Sequence, residues 1–325
     1  MGRRRGLIPP LAGGLVLAAL SLVVSALGPL GLVAFLLPVP IAYLVYEEGF
    51  PAALLAEAVA SLLVWPLLGP VFALGLLLGA FVPGMLMGEG LRSGEAPFAS
   101  VLWSAFLVLL GMVAVTLATG LFASHGQDPL YAAKVAAHSL TKNLQDVARS
   151  VEQAYAANGL PRAEARRLAA SLVARIRTEV LPLLPAITVL AVAVNMVLAY
   201  GLVRLLLRRH LLPPVPPFAE WTTPPWLPAV YLAATVLMMG WPSQAGSTWA
   251  LVAQNVFLVA GSLLAVHGLA VLYYALHRMR AGRTLSLLAL VAAVLIPLSL
   301  ALLAWLAVAD SLADFRRLGR RPGGA

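Results

Sequence analysis

The sequence contains no cysteine and very little charge. Of its 325 residues, 11% are charged and 61% are hydrophobic, whereas a soluble domain is about 25% charged and about 45–50% apolar. The absence of cysteine excludes disulfides, thiolate metal sites and cysteine nucleophiles. The shortage of charge excludes an ordinary soluble surface, so we predict that most of the surface faces lipid.

Recognisable catalytic signatures are also missing. There is no G-x-x-x-x-G-K loop for a nucleotide, no G-x-S-x-G elbow, and no H-E-x-x-H spacing among the five histidines. Glu47-Glu48 resembles the Glu-Glu-x-x-x-Arg motif of prenyl-endopeptidase-like membrane proteases, but Ala52 occupies the arginine position. We therefore expect no enzyme activity, no cofactor and no metal site, and an intramembrane protease is kept as a remote alternative.

The basic residues follow the pattern of a membrane protein. The formal net charge is +9, and most arginines stand at the ends of apolar runs: Arg3, Arg4 and Arg5; Arg204, Arg208 and Arg209; Arg278, Arg280 and Arg283; Arg316, Arg317, Arg320 and Arg321. Such arginines set membrane topology and favour contact with anionic lipid. They do not alternate with aromatic residues along a polar groove, so we expect no nucleic acid partner.

The long apolar runs predict an all-α polytopic membrane protein. A helix needs about 20 apolar residues to cross a hydrocarbon core about 30 Å thick, and backbone groups in lipid must be bonded internally. We predict nine transmembrane helices, of which the run at 227–241 is short: 7–27, 30–46, 50–66, 67–88, 98–123, 180–207, 227–241, 249–277 and 284–308. A proline-rich linker at 210–226 separates a six-span bundle in 1–209 from a three-span bundle with a basic tail in 227–325.

Residues 124–179 differ from the apolar runs around them. Apolar residues recur there at steps of three and four, which predicts an amphipathic helical hairpin inserted into the six-span bundle. Asn158-Gly159 predicts the end of its first helix. Two interpretations remain open, namely a hairpin on the bilayer or bundle surface and a lid over a cavity.

The arginine distribution predicts the orientation. A bias toward Ala, Leu and Arg indicates a bacterial genome, and the first apolar run follows Arg3–Arg5 as a signal peptide would. Because further spans follow at once, we expect a retained first helix, with the N-terminus on the cytoplasmic side of the inner membrane. Nine crossings leave the C-terminal arginines outside, against the positive-inside preference. Either the C-terminus departs from that preference or one span is re-entrant.

Few polar side chains lie within the predicted spans. Glu57, Asn195, Asn255 and His267 are candidates for ligand binding. Glu57 could instead lie near enough to the interface to be hydrated, and each of the other three could instead bond across helices. Gly75 and Gly79 form a G-x-x-x-G pair that favours either internal packing or the docking of a partner helix. We expect Asp310 to belong to an interfacial, salt-bridged helix end.

The order of these features resembles a known family. The stretch from Asn255 to Val271, the basic turn at 278–283, the last apolar run and the closing Asp314-Phe315-Arg316-Arg317 are similar to YybS-like bacterial membrane proteins. That family is grouped with the substrate-binding S components of energy-coupling-factor transporters. The glycine-rich fourth span, entered at Gly69-Pro70, also resembles an S component.

The resemblance implies a function and partners. An S component binds a small solute on its outer side and docks onto a transmembrane coupling subunit that carries ATPases. The docking positions implied here are Gly14 and Ala18. The first hypothesis is therefore a solute-binding transport component without its own ATPase, and the alternative is a non-catalytic scaffold for envelope assembly.

Overall fold

The computed structural model describes residues 7–27, 34–95, 97–208, 210, 212, 214–240 and 248–316. Several residues that carried sequence-based predictions lie outside this part of the chain: Arg3, Arg4, Arg5, Arg209, Arg317, Arg320 and Arg321.

Throughout the described residues the chain forms helices and no β-strand. The α-helices are α1 (Ile8–Leu27), α2 (Pro38–Glu48), α3 (Phe50–Leu68), α4 (Pro70–Leu76), α5 (Val82–Ser93), α6 (Pro97–Ala123), α7 (Tyr131–Ala157), α8 (Arg162–Arg175), α9 (Leu184–Leu206), α10 (Leu227–Gly240), α11 (Thr248–Arg278), α12 (Arg283–Leu295) and α13 (Pro297–Ala313). Short π-helical turns join α4 to α5 and follow α8.

The prediction of an all-helical membrane protein with several spans is confirmed, but the number of long apolar helices is smaller than nine. Six helical stretches within the described residues are long and apolar enough to cross a membrane, or seven if the bent pair α12–α13 counts as one span. Among the described residues of the predicted span at 30–46 are a short 3-10 turn at Ala34–Leu36 and most of α2, which has 11 residues. The span predicted at 227–241 contains α10, which has 14 residues.

The last predicted span is broken in the middle. α12 and α13 meet at a bend of 109°, where Ile296 is extended, with φ −90° and ψ 113°, and Pro297 begins the next helix. Proline lacks a backbone N–H and disfavours helical geometry in the residue before it. The sequence therefore cannot continue one helix through 296–297.

The first compact unit comprises Met1–Ala174 and Ala191–Pro214. Within it, α2 packs closely on α5, because Gly84 and Gly88 of α5 have no side chain. A Cβ at Gly84 would lie 2.6 Å from the carbonyl oxygen of Pro38, and one at Gly88 would lie 2.6 Å from that of Ala42. This second G-x-x-x-G pair is therefore used in internal packing.

The second compact unit comprises Arg175–Leu190 and Val215–Ala325. Its apolar core is formed by α10, α11 and α13, with Tyr231 stacked on Phe257 at a ring distance of 5.0 Å. The division between units at 214/215 falls inside the linker predicted at 210–226, and residues 175–190 belong to the second unit.

Residues 124–179 contain the two helices α7 and α8, with the turn between them at Asn158-Gly159 as predicted. Gly159 has φ 89°, a conformation that glycine adopts without steric cost. No side chain of α7 is fully buried, and two residues of its apolar stripe, Val147 and Tyr155, are exposed.

Candidate functional site

A cluster of charged and polar side chains lies buried in the second unit. It joins His267 of α11, Asp310 of α13, Arg316 just beyond α13, and Thr223 of the proline-rich loop. His267 is 3% exposed and Asp310 is 5% exposed. We call these four residues the Arg316 cluster.

Arg316 reaches the cluster because the chain reverses after α13. Asp314 ends the helix in the left-handed conformation, with φ 45° and ψ 54°, and its N–H donates to the carbonyl oxygen of Asp310 at 2.8 Å. Asp tolerates this conformation better than most residues. The reversal directs Arg316 back toward α11 instead of into solvent.

All five N–H groups of the Arg316 guanidinium have an acceptor. Nε and Nη2 donate to Oδ2 of Asp310 at 3.0 and 2.8 Å, and Nη2 also donates to Nε2 of His267 at 2.6 Å. Nη1 donates to the carbonyl oxygens of Ala219 and Trp221 at 2.7 and 3.0 Å. A guanidinium has five donors in a fixed fork, so this arrangement satisfies it completely.

These contacts determine the protonation of His267. Its Nε2 accepts from Arg316, so the ring is neutral and its proton is on Nδ1. Nδ1–H then donates to Oγ1 of Thr223, which lies 3.1 Å away. The imidazole is held on both sides, and the resulting arrangement is a structural ion-pair network.

The ion pair expected at this helix end is present between Asp310 and Arg316, and the side chain of Asp310 is buried there. Its Oδ2 accepts two hydrogen bonds from Arg316 and lies 3.1 Å from Nε2 of His267, whereas its Oδ1 has no hydrogen-bond partner among the described residues. The sequence shows only an Asp six residues before an Arg, which is not a helical ion-pair spacing. The burial follows from the chain reversal at Asp314.

Asn255 has a structural role in the second unit. Its Nδ2 donates to the carbonyl oxygens of Pro182 and Leu251, and its Oδ1 accepts the backbone N–H of Ala186, each at 2.8 Å. Both N–H groups of the amide and its oxygen are thereby engaged. Pro182 and Ala186 flank the first turn of α9, where a helix leaves N–H groups without intrahelical acceptors.

Glu57 is the buried acid of the first unit. It is 3% exposed and lies on the face of α3 that also carries the buried residues Ala53, Ala60 and Val64. Ser61, one turn later, donates to its Oε1 at 3.1 Å, and its Oε2 has no hydrogen-bond partner among the described residues. A carboxyl group inside an apolar helix bundle with one unpaired oxygen is energetically costly.

Asn195 lies on α9 in the first unit and is half-buried. The hydrogen-bond networks of Asn255 and of the Arg316 cluster do not include it. Glu57 and Asn195 thus belong to the first unit, and Asn255 and His267 belong to the second.

The small residues proposed for docking fall into two groups. Gly14 and Ala18 of α1 are buried, and a Cβ at Gly14 would lie 2.7 Å from the carbonyl oxygen of Ala56 on α3. These two residues are thus used in internal packing within this chain. By contrast, a Cβ at Gly75 or Gly79 would meet no atom within 4 Å.

Gly75 and Gly79 line an open groove against α6. Its volume is about 240 Å³, and its lining is almost entirely apolar: Gly75, Leu78, Gly79, Val108, Gly111, Met112, Val115 and Thr116. The groove has no charged residue in its lining, so it suits an apolar helix or an acyl chain better than a polar solute.

The described residues contain no group of three or more His, Asp or Glu side chains arranged to hold a metal ion. The Arg316 cluster is the densest set of titratable groups described above, and its guanidinium supplies the positive charge that a metal would otherwise bring.

Comparison with known proteins identifies the family. No curated protein and no solved structure matches the chain. A family model described as "Predicted membrane protein (DUF2232)" matches residues 15–311, which is most of the chain and includes Glu57, Asn255, His267 and Asp310. The chain therefore belongs to the DUF2232 family of predicted membrane proteins.

Proposed function

We propose that this protein is a membrane-embedded component that binds a small solute and takes part in its transport, without an ATPase of its own. Glu57 carries the proposal, because it is 3% exposed and keeps an unpaired carboxyl oxygen within an apolar helix bundle. An ionisable group within a transmembrane helix usually serves an ion or substrate pathway. The solute would supply the hydrogen-bond donor or positive charge that Oε2 lacks.

The surroundings of Glu57 support a binding role over a purely structural one. Asn255 and His267 are saturated by bonds within the chain, whereas the described residues offer Glu57 the hydroxyl of Ser61 and leave its Oε2 without a partner. A carboxyl group retained only for stability would be expected to carry a basic or amide partner. Glu57 is therefore the polar candidate best placed to accept a ligand.

Native mass spectrometry of the detergent-purified protein tests this proposal. We expect wild-type protein to retain a small molecule that is lost from Glu57→Gln and Glu57→Ala. The matched control is Glu89→Gln, because Glu89 is an exposed acid in the same unit. Equal occupancy in wild type and both Glu57 variants would remove the support for a solute site at this residue.

The resemblance to S components supports a further part of the proposal, namely a coupling partner. The protein would reside in the bacterial inner membrane with its N-terminus in the cytoplasm, and a transmembrane subunit with ATPases would supply energy. Affinity purification from native membranes tests this. Recovery of an ATPase pair in stoichiometric amounts is expected, and recovery of envelope-assembly proteins alone would contradict it.

The open groove favours a second candidate function, a membrane scaffold. Two glycines of α4 and its π-helical turn face this groove without a contact, whereas Gly84 and Gly88 on α5 are covered by α2. Small residues that let backbones approach closely are typical of helix docking in membranes. A partner transmembrane helix in the groove would make this chain an assembly platform.

The scaffold is tested by filling the groove. We expect Gly79→Leu to abolish copurification of a partner helix while leaving the purified protein folded. Gly201→Leu is the matched control, because Gly201 is exposed on α9 and also has no atom within 4 Å of a Cβ. Unchanged copurification in Gly79→Leu would exclude the groove as the docking surface.

A further inference from the structure

The proline-rich loop is bonded to the rest of the second unit by two members of the Arg316 cluster, Arg316 and His267. Arg316 donates to the carbonyl oxygens of Ala219 and Trp221, and Thr223 accepts from His267. Phe218 adds a ring contact with Tyr273 of α11 at a centroid distance of 5.8 Å. Residues 216–223 therefore lie over His267 as a strap.

The loop has few backbone donors with which to hold its own shape. Six residues of the loop at 210–226 are proline and supply no N–H group: Pro213, Pro214, Pro216, Pro217, Pro224 and Pro225. Its backbone bonds include a short turn in which Glu220 donates to Pro217 and Trp221 donates to Phe218. The carbonyl oxygens of Ala219 and Trp221 face inward and are satisfied by Arg316.

A buried guanidinium tends to keep or lose such bonds as a set. Removing the arginine from water is costly, and the cost is offset only when the carboxylate and the remaining acceptors are all in place. Arg316 has acceptors for all five donors, and its side chain is fully buried. Losing the bonds to the loop would leave donors without partners, which favours complete withdrawal of the side chain over a partial change.

We propose that Arg316 acts as a latch, because its hydrogen bonds hold the strap at 216–223 in place over His267. With the guanidinium bound to Asp310, the strap at 216–223 is closed over His267. When Arg316 withdraws, the strap is released, His267 becomes accessible to water from this side of the protein, and Thr223, which is half-buried under the closed strap, becomes more exposed. The unpaired Oδ1 of Asp310 is the point at which a competing donor would displace the guanidinium.

Hydrogen exchange of the full-length protein in detergent micelles tests the latch directly. We expect Arg316→Gln to accelerate amide exchange at 218–223 by about tenfold or more, because local opening no longer breaks the guanidinium bonds. Exchange in α1 to α6 should not change. Arg278→Gln is the control, because Arg278 is an exposed arginine at the end of α11.

The accessibility of Thr223 provides the second measurement. The chain has no native cysteine, so Thr223→Cys is a single reporter whose reaction with a water-soluble thiol reagent can be timed. We expect slow labelling with Arg316 present and labelling about tenfold faster with Arg316→Gln. A cysteine at Trp226, which is already exposed, should react at the same rate in both backgrounds.

Arg316→Lys is a second variant that keeps the test valid if Arg316→Gln fails to fold. Lysine keeps the charge but has three donors, so it cannot serve the carboxylate, the ring and both carbonyl oxygens together. It should give intermediate exchange and labelling rates in protein that remains monodisperse. If folded Arg316→Lys and Arg316→Gln both match the wild type in both measurements, Arg316 does not hold the strap and the latch is wrong.

Discussion

The side chain of Asn255 replaces one backbone hydrogen bond where α9 begins, the bond between Ala186 and Pro182. In a regular helix the N–H of Ala186 would donate to the carbonyl oxygen of Pro182. Here Oδ1 of Asn255 accepts that N–H, and Nδ2 of Asn255 donates to that carbonyl oxygen, each at 2.8 Å. An amide from a neighbouring helix thus satisfies both backbone groups where α9 begins.

Substitution of Asn255 by alanine should therefore destabilise the protein. The change leaves the N–H of buried Ala186 and the carbonyl oxygen of half-buried Pro182 without this partner, and each buried group left unsatisfied costs about 1–3 kcal/mol. Equilibrium unfolding in mixed detergent micelles measures it. Asn195→Ala is the control, because Asn195 is half-buried on α9 and takes no part in this network. Equal losses in the two variants would contradict the capping role.

Two glycine pairs on neighbouring helical turns should respond differently to alanine. Gly88→Ala places a methyl group 2.6 Å from the carbonyl oxygen of Ala42, so we expect destabilisation by about 1–3 kcal/mol. Gly79→Ala meets no atom within 4 Å, and alanine is the better helix former by about 1 kcal/mol. Parallel unfolding curves should separate the two variants, and a loss of stability in Gly79→Ala would show that the groove is filled.

The buried carboxyl group of Glu57 should lower the free energy of unfolding of the wild-type protein. Glu57→Met replaces a buried carboxyl group, with one unpaired oxygen, by an apolar chain of similar length. We expect the free energy of unfolding to rise by about 1–3 kcal/mol, with loss of any bound solute. Ser61→Ala removes only the hydroxyl that donates to Oε1 and serves as the comparison. A less stable Glu57→Met protein would mean that the acid has a structural partner.

The loop before α10 and the C-terminal ends of α11 and α13 should lie on the same side of the membrane. α10 leads away from the loop at 214–226, α11 returns to it at Tyr273, and Arg316 beyond α13 binds the same loop. The pair α12–α13 then enters and leaves on one side. Single cysteines at Trp221, Met279 and Phe315 should react with an impermeant maleimide from one side, and a cysteine at Met239 from the other. Labelling of Phe315→Cys together with Met239→Cys would contradict this topology.

The turn before α7 should lose its ion pair in acid. Lys134 lies 2.7 Å from Asp128, and this hydrogen bond holds the pKa of the Asp128 carboxyl below its ordinary value. Because the folded pKa is depressed, the contribution is present above the unfolded pKa and is lost as the pH falls through the folded one. Carboxyl carbon shifts of the four labelled aspartates follow this titration. Lys134→Ala should return the midpoint of Asp128 toward its ordinary value, and an unchanged midpoint would exclude the pairing in solution.

Hydropathy alone predicted the membrane class and most of the long helices, because length and apolar composition are local properties. The runs at 50–66, 98–123 and 249–277 correspond closely to α3, α6 and α11. The break at Pro297 was also visible in the sequence, since proline disfavours helix in the preceding residue. One span at 284–308 was nevertheless predicted, because the apolar composition continues across Pro297.

The polar contacts could not be predicted in the same way, because they join residues far apart in the chain. Asn255 bonds to Ala186 across 69 positions, and Arg316 bonds to Ala219 across 97. The candidates for ligand binding did include His267, and Asp310 was assigned to an interfacial, salt-bridged helix end without His267 as its neighbour.

The bend after α12 has a consequence for the surrounding lipid. With 13 residues, α12 extends about 20 Å before Ile296, which is some two thirds of an average hydrocarbon layer. With α12 and α13 entering and leaving on one side, as expected above, acyl chains from the opposite leaflet would have to fill the space beyond the bend.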